Sequence, residues 1–148
     1  MPITRDSVFV ERVFNCTPDK LFSWLTRADK IVQWFWPNQF KALRAVSDLK
    51  INGNYGVELQ KPDGSTFSIE GRYQEIEINK KIVYTYRYIG FNAEQPESTV
   101  SINLEALAGN KTKLRLVQKF DEGGHINENR EVVWNAMFSS LHKILNAD

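Results

Sequence analysis

The sequence predicts an α+β domain in which a curved antiparallel sheet of six to seven strands wraps around one long C-terminal helix, a helix-grip architecture. Three observations carry this reading. Between residues 40 and 120, apolar and polar side chains alternate with period two in successive segments parted by turn residues. Residues 127–148 instead repeat apolar side chains at steps of three and four. Two short helical patterns lie between a first strand-like segment and the run of strands, and no long crossovers separate the strands. A sheet with one apolar face must curl around something, and the last segment is the one element long enough to fill it.

In that last segment Val133, Trp134, Met137, Phe138, Leu141, Ile144 and Leu145 fall on one face of a helix, with Asn135, Ser139 and Lys143 opposite. A helix of about 20 residues spans about 30 Å, enough to cross a small sheet. Asn127 or its neighbour is placed to cap it, and Glu128 and Glu131 complement the positive end of the dipole.

From the start, Ser7 to Phe14 (SVFVERVF) reads as a strand. Cys16-Thr17-Pro18-Asp19 is a helix start, with Thr17 as N-cap and Pro18 at the first helical position; Leu21, Phe22, Trp24 and Leu25 form its apolar face. A second short helix begins near Ala28-Asp29, carries Ile31, Val32, Trp34 and Phe35, and is stopped by Pro37. Strands follow from Phe40 to Val46, around Tyr55–Leu59, from Phe67 to about Ile78, over Ile82–Tyr88, around Val100–Leu104, and over Leu114–Phe120. Pro62-Asp63-Gly64, Asn79-Lys80 and Ala108-Gly109-Asn110 supply the turns.

A chain of 148 residues is expected to form a single domain, residues 1–148, with a real core. Its net charge is +1 and its longest basic run is Lys80-Lys81, which argues against nucleic acid and against a polybasic membrane surface. The one cysteine, Cys16, allows no intramolecular disulfide and fits a reducing compartment. With no apolar leader and no stretch of about 18 apolar residues, the expected location is the cytoplasm.

The candidate site is aromatic. Trp34, Trp36, Tyr73, Tyr84, Tyr86, Tyr88, Trp134 and Phe138 sit at inward or clustered positions, with Met137 and Leu141 on the same helical stripe. Each reads as core or as the wall of a ligand pocket. The tyrosines favour the wall, because a buried phenol needs a partner for its hydroxyl and costs about 1–3 kcal/mol without one. Gln118 shares the inward parity of Leu114, Leu116 and Phe120, so its amide must meet backbone, a tyrosine or a ligand. Glu58, Glu70 and Arg72 have the opposite parity and read as a solvated face. His125, His142 and Cys16 do not have metal-ligand spacing, and Cys16, although at a helix start where a thiolate is favoured, has no histidine placed beside it by sequence. No phosphate-binding loop is present, so no catalytic residue, metal or cofactor is expected.

Four local stretches, in order, resemble the Hsp90-ATPase-activator-homologue-1-like family of the START-like (Bet v 1-like, polyketide-cyclase/dehydrase) superfamily. They are Cys16-Thr17-Pro18-Asp19-Lys20-Leu21-Phe22-Ser23-Trp24-Leu25-Thr26, the segment 29–40 (DKIVQWFWPNQF), Ile82-Val83-Tyr84-Thr85-Tyr86, and Trp134 to Leu145, where Val133 replaces the family's usual glycine. The resemblance spans about residues 8–147 and implies a helix-grip fold with a cavity between helix and sheet that holds a small hydrophobic, lipid-like ligand. It also implies an alternative, a co-chaperone-like protein-interaction module presenting an apolar patch near Phe35-Trp36-Pro37 or Phe91, and a third, a polyketide-cyclase-like enzyme. The expected partners are thus a small hydrophobic ligand and a protein, with the chain a monomer or weak homodimer.

Overall fold

The computed structural model describes residues 7–35, 40–90, 97–120 and 129–146. Strand β1 (Ser7–Phe14) leads into helices α1 (Pro18–Thr26) and α2 (Ala28–Trp34). Six strands follow: β2 (Lys41–Ser47), β3 (Asn54–Gln60), β4 (Thr66–Glu77), β5 (Lys81–Ile89), β6 (Ser98–Leu107) and β7 (Lys111–Phe120). Helix α3 (Asn129–Asn146) closes the order. The strands form one seven-stranded sheet in the order β1-β7-β6-β5-β4-β3-β2, antiparallel throughout. This is the helix-grip architecture that the alternation and the helical stripe predict.

The turns form where the sequence places them. Gly64 (φ 91°), Asn79 (φ 64°), Gly109 (φ 81°) and Asn110 (φ 58°) occupy the left-handed region, which glycine and asparagine tolerate best. The hydroxyl of Thr17 does not cap α1. It hydrogen-bonds the Asp19 carboxylate and holds that carboxyl below its usual range. Helices α1 and α2 are locked together by the Trp34 indole, whose Nε1 donates to the Trp24 carbonyl at 2.9 Å.

Two local irregularities give the sheet its curl. In β4 the register with β5 slips between Tyr73 and Glu75, leaving Gln74 as an extra residue. Unbroken alternation after Tyr73 would turn Glu75 and Glu77 inward; the bulge resets the parity so that Ile76 packs on the core and both glutamates are exposed. Just before it, a Cβ on Gly71 would lie 1.7 Å from the Thr85 carbonyl oxygen, so only glycine permits β4 and β5 to coil this tightly.

The concave face receives α3. Trp134, Met137, Phe138, Leu141 and Leu145 are buried on it, each contributing about 1.5–3 kcal/mol through removal from water. Ser139, expected on the far side, is half-buried at the seam with β1, where it accepts a 2.9 Å hydrogen bond from Arg12 Nη1. His142 is half-buried beside Phe14, their rings 5.8 Å apart.

Candidate functional site

The inward positions of β3, β4 and β5 carry rings, and these meet the rings of α3 and α2. Residues two apart on a strand face the same way, which stacks Tyr84, Tyr86 and Tyr88 in a column along β5. Register then sets Tyr73 directly opposite Tyr84. From α2 inward, ring centroids lie 6.0 Å apart for Trp34–Phe138, 5.6 Å for Phe138–Trp134 and 5.7 Å for Trp134–Tyr86. The series continues at 6.3 Å for Tyr86–Tyr84, 4.5 Å for Tyr84–Tyr55 and 5.7 Å for Tyr55–Tyr73. A branch leaves Tyr86 for Tyr88 at 5.9 Å, reaches Phe67 at 6.2 Å and ends on Phe40 at 6.0 Å. Offset and edge-to-face pairs of this kind add about 0.5–1.5 kcal/mol each beyond burial.

Polar atoms interrupt this apolar surface at three points. Gln118, fully buried on β7, accepts from Trp134 Nε1 at 2.9 Å and donates to Ser98 Oγ at 2.8 Å; Ser98 in turn donates to the Tyr86 carbonyl at 3.1 Å. One amide thereby ties α3 to three adjacent strands. At the far end Tyr73 Oη and Ser47 Oγ share a 2.6 Å hydrogen bond. Between them Tyr55 donates its hydroxyl to Tyr84. Burial raises all three phenols: Tyr73 to about 12, and Tyr55 and Tyr84 well above the ordinary value of 10.0. None of the three is a base near neutral pH.

Of the sequence-predicted residues, Trp34, Tyr73, Tyr84, Tyr86, Gln118, Trp134, Met137, Phe138 and Leu141 are buried between α3, α2 and the sheet, and Tyr88 is half-buried at the end of the β5 column. Trp36 lies outside the described residues, as do Pro37, Phe91 and His125. The amide of Gln118 meets an indole and a serine, neither of them the backbone or tyrosine partner expected inside the protein. Phe35 is corrected: it is 2% exposed and packs edge-on to Trp134 at 6.5 Å, so it presents no surface patch. At Cys16, a helix start where a thiolate is ordinarily favoured, burial instead pushes the thiol up, outweighing the opposing effect of Lys20. Sequence reasoning passed over Tyr55, Phe67 and Ser98. The first two share the inward parity of Val57, Leu59 and Ile69, and that parity was the available signal.

Neither of two clefts lined by described residues involves α3, and the first reaches the ring series only at Tyr55. One, of about 410 Å³, runs over Gly56 on the convex face between Arg44, Glu58 and Glu70. The other, of about 420 Å³, lies between Pro18 of α1 and Lys80-Lys81. Among the described residues no three His, Cys, Asp or Glu side chains converge to hold a metal, and no helix is long and apolar enough to cross a membrane.

Residues 15–146 match the family model described as Activator of Hsp90 ATPase homolog 1-like protein. The chain belongs to this family. The activator-homologue fold recurs in protein CV1439 from Chromobacterium violaceum, 21% identical with a TM-score of 0.85 over 97% of this chain and 99% of that one. Protein NE0264 from Nitrosomonas europaea superposes with a TM-score of 0.82 at 19% identity, covering 99% of each chain. The AHSA1 protein from Silicibacter pomeroyi gives 0.77 at 18% identity, over 95% of this chain and 98% of its own. At these identities the likeness establishes the activator-homologue fold and nothing about activity. No curated protein matches the chain.

Proposed function

We propose that this member of the activator-homologue family is a binding protein, not an enzyme, and that it takes a small, mostly apolar ligand between α3 and the concave face of the sheet. The observation that supports this reading is the unbroken ring series from Trp34 to Tyr73, with the Gln118 amide and the Tyr73, Tyr84 and Tyr55 phenols set into it. An apolar wall with a few fixed polar groups is the composition of a small-molecule pocket. The reading includes cytoplasmic action without a cofactor, nucleic acid or membrane.

The interior argues against catalysis. The fully buried polar side chains among the described residues are Thr26, Ser98, Thr112 and Gln118, beside phenols whose raised pKa values keep them protonated, while His142, half-buried with its Nδ1 enclosed, sits against Phe14 at the β1 seam, off the ring series. Cyclisation or dehydration needs a group that exchanges a proton near neutral pH, and the phenols and amide of the ring series do not.

Titrating tryptophan emission and melting temperature with a panel of fatty acids, sterols and planar aromatics tests the proposal. Trp134 sits against Tyr86 and Phe138, so an occupant changes its emission. A ligand present at about 100 times its dissociation constant adds about 2.7 kcal/mol of stability. If no member of the panel moves either signal, the binding reading fails.

A second reading, a protein-interaction module, is favoured by a separate observation. Leu43, Val46, Leu49 and Ile51, on β2 and the loop after it, are 37–56% exposed. Purified Hsp90 is the partner to test, by stimulation of its ATPase, with Val46→Lys expected to abolish the effect. No stimulation by the parent chain ends this reading.

A further inference from the structure

Tyr84 is the polar centre of the ring series. It is 2% exposed, and its ring centroid lies 4.5 Å from that of Tyr55, 6.0 Å from Tyr73 and 6.3 Å from Tyr86. Its oxygen receives the hydroxyl of Tyr55, yet no acceptor among the described residues meets its own O–H. The neighbouring polar groups are engaged: Gln118 through both its oxygen and its nitrogen, and Tyr73 through Ser47. A phenol shut away from water with its hydrogen unspent is a costly arrangement, and a bound acceptor relieves it.

Charge is missing from the same interior. Among the described residues no Lys, Arg, Asp or Glu is buried. Lys61 Nζ does stand over a ring of the series, 5.7 Å from Phe67, but Tyr88 and Tyr86 come between that ring and Tyr84.

We propose, resting on the ligand reading above, that the ligand is uncharged and carries a carbonyl oxygen that accepts a hydrogen bond from Tyr84. Each alternative leaves something unmet. A pure hydrocarbon leaves the Tyr84 hydrogen without a partner. A carboxylate accepts that hydrogen but is buried with no counter-ion, which costs far more than burying a neutral oxygen. An ammonium group is buried unpaired and cannot accept at all. Ketones and esters on an apolar skeleton meet both conditions, and Tyr84 is then the residue that selects them.

Matched hydrocarbon, ketone and carboxylate members of three skeletons (a linear alkyl chain, fluorene and androstane) test this by titration into the full chain at about pH 8. On each skeleton that binds, the ketone is expected to bind at least about tenfold tighter than the carboxylate. Tyr84→Phe is expected to lower the ketone-to-hydrocarbon affinity ratio about tenfold. Tyr55→Phe breaks the same phenol–phenol bond but leaves Tyr84 its hydroxyl, and is expected to hold that ratio within about twofold. Simple repacking around a lost hydroxyl would move the ratio alike in both variants. A carboxylate bound as tightly as its ketone, or a ratio that Tyr84→Phe leaves unchanged or shifts no more than Tyr55→Phe does, overturns the proposal while the ligand reading stands. Binding by no member of any skeleton ends that reading and the proposal with it.

Discussion

Replacing Gln118 with Leu removes the acceptor of the Trp134 indole and the donor to Ser98 while keeping a side chain of similar size. Trp134 is 2% exposed, so its Nε1–H cannot turn to water. A buried donor left without a partner costs about 1–3 kcal/mol. Ser98 keeps its own bond to the Tyr86 carbonyl and loses only the bond it receives, a smaller effect. Leu also needs no amide desolvation, which offsets part of the loss. The net expectation is a destabilisation of about 2 kcal/mol, read in urea, and a fall of about 4–8 °C in melting temperature. A double-mutant cycle isolates the cause. In a Trp134→Phe background no indole N–H remains to be orphaned, so Gln118→Leu is expected to cost at least about 1 kcal/mol less there than in the parent. If the two losses add to within about 0.5 kcal/mol, or if Gln118→Leu alone is neutral, the amide does not hold the helix to the sheet and the reasoning fails.

Gly71→Ala is expected to lose about 3 kcal/mol or more in urea unfolding, because the new Cβ meets the Thr85 carbonyl at 1.7 Å and the two strands must part. Stability is expected to be flat below pH 10 as far as the buried phenols are concerned, then to fall. Tyr73 keeps its proton up to about 12 when folded and releases it near 10.0 when unfolded, so its contribution is complete below 10 and lost as pH rises through that window. Two pH units correspond to about 2.7 kcal/mol, measured as the alkaline decline of the urea midpoint. Tyr73→Phe is expected to cost about 1 kcal/mol at neutral pH through loss of the 2.6 Å bond to Ser47, and to make that alkaline decline shallower.

Most of this architecture was legible because its signals are local. Alternation in β3, β5 and β7 marks the faces, and Pro62-Asp63-Gly64 or Gly109-Asn110 is turn chemistry readable without a structure. The stripe from Trp134 to Leu145 marks the buried side of α3 for the same reason. What was not legible depends on contacts between distant segments. The bulge at Gln74 shows only in the pairing of β4 with β5, and without it Glu75 and Glu77 appear to point inward. The partners of Gln118 come from α3 and β6, 16 and 20 residues away, and no spacing rule selects them. Phe35 reads as part of a loop patch because it precedes Trp36-Pro37, yet the packing of α2 against α3 sets it on Trp134.

The pairing of β1 with β7 joins opposite ends of the chain: Arg115 meets Glu11 across 104 positions of sequence, and Arg12 reaches Ser139 across 127. As the chain leaves the ribosome, the hairpins from β2 to β6 can close one after another. Strand β1 has neither its neighbour nor its covering helix until the residues that part it from them, 104 positions from Glu11 to Arg115 and 127 from Arg12 to Ser139, have been added. Its valines and phenylalanines wait in water for that whole interval. Synthesis speed and the company of holdase chaperones therefore bear on the yield of this protein more than on that of one whose first strand finds a partner next door.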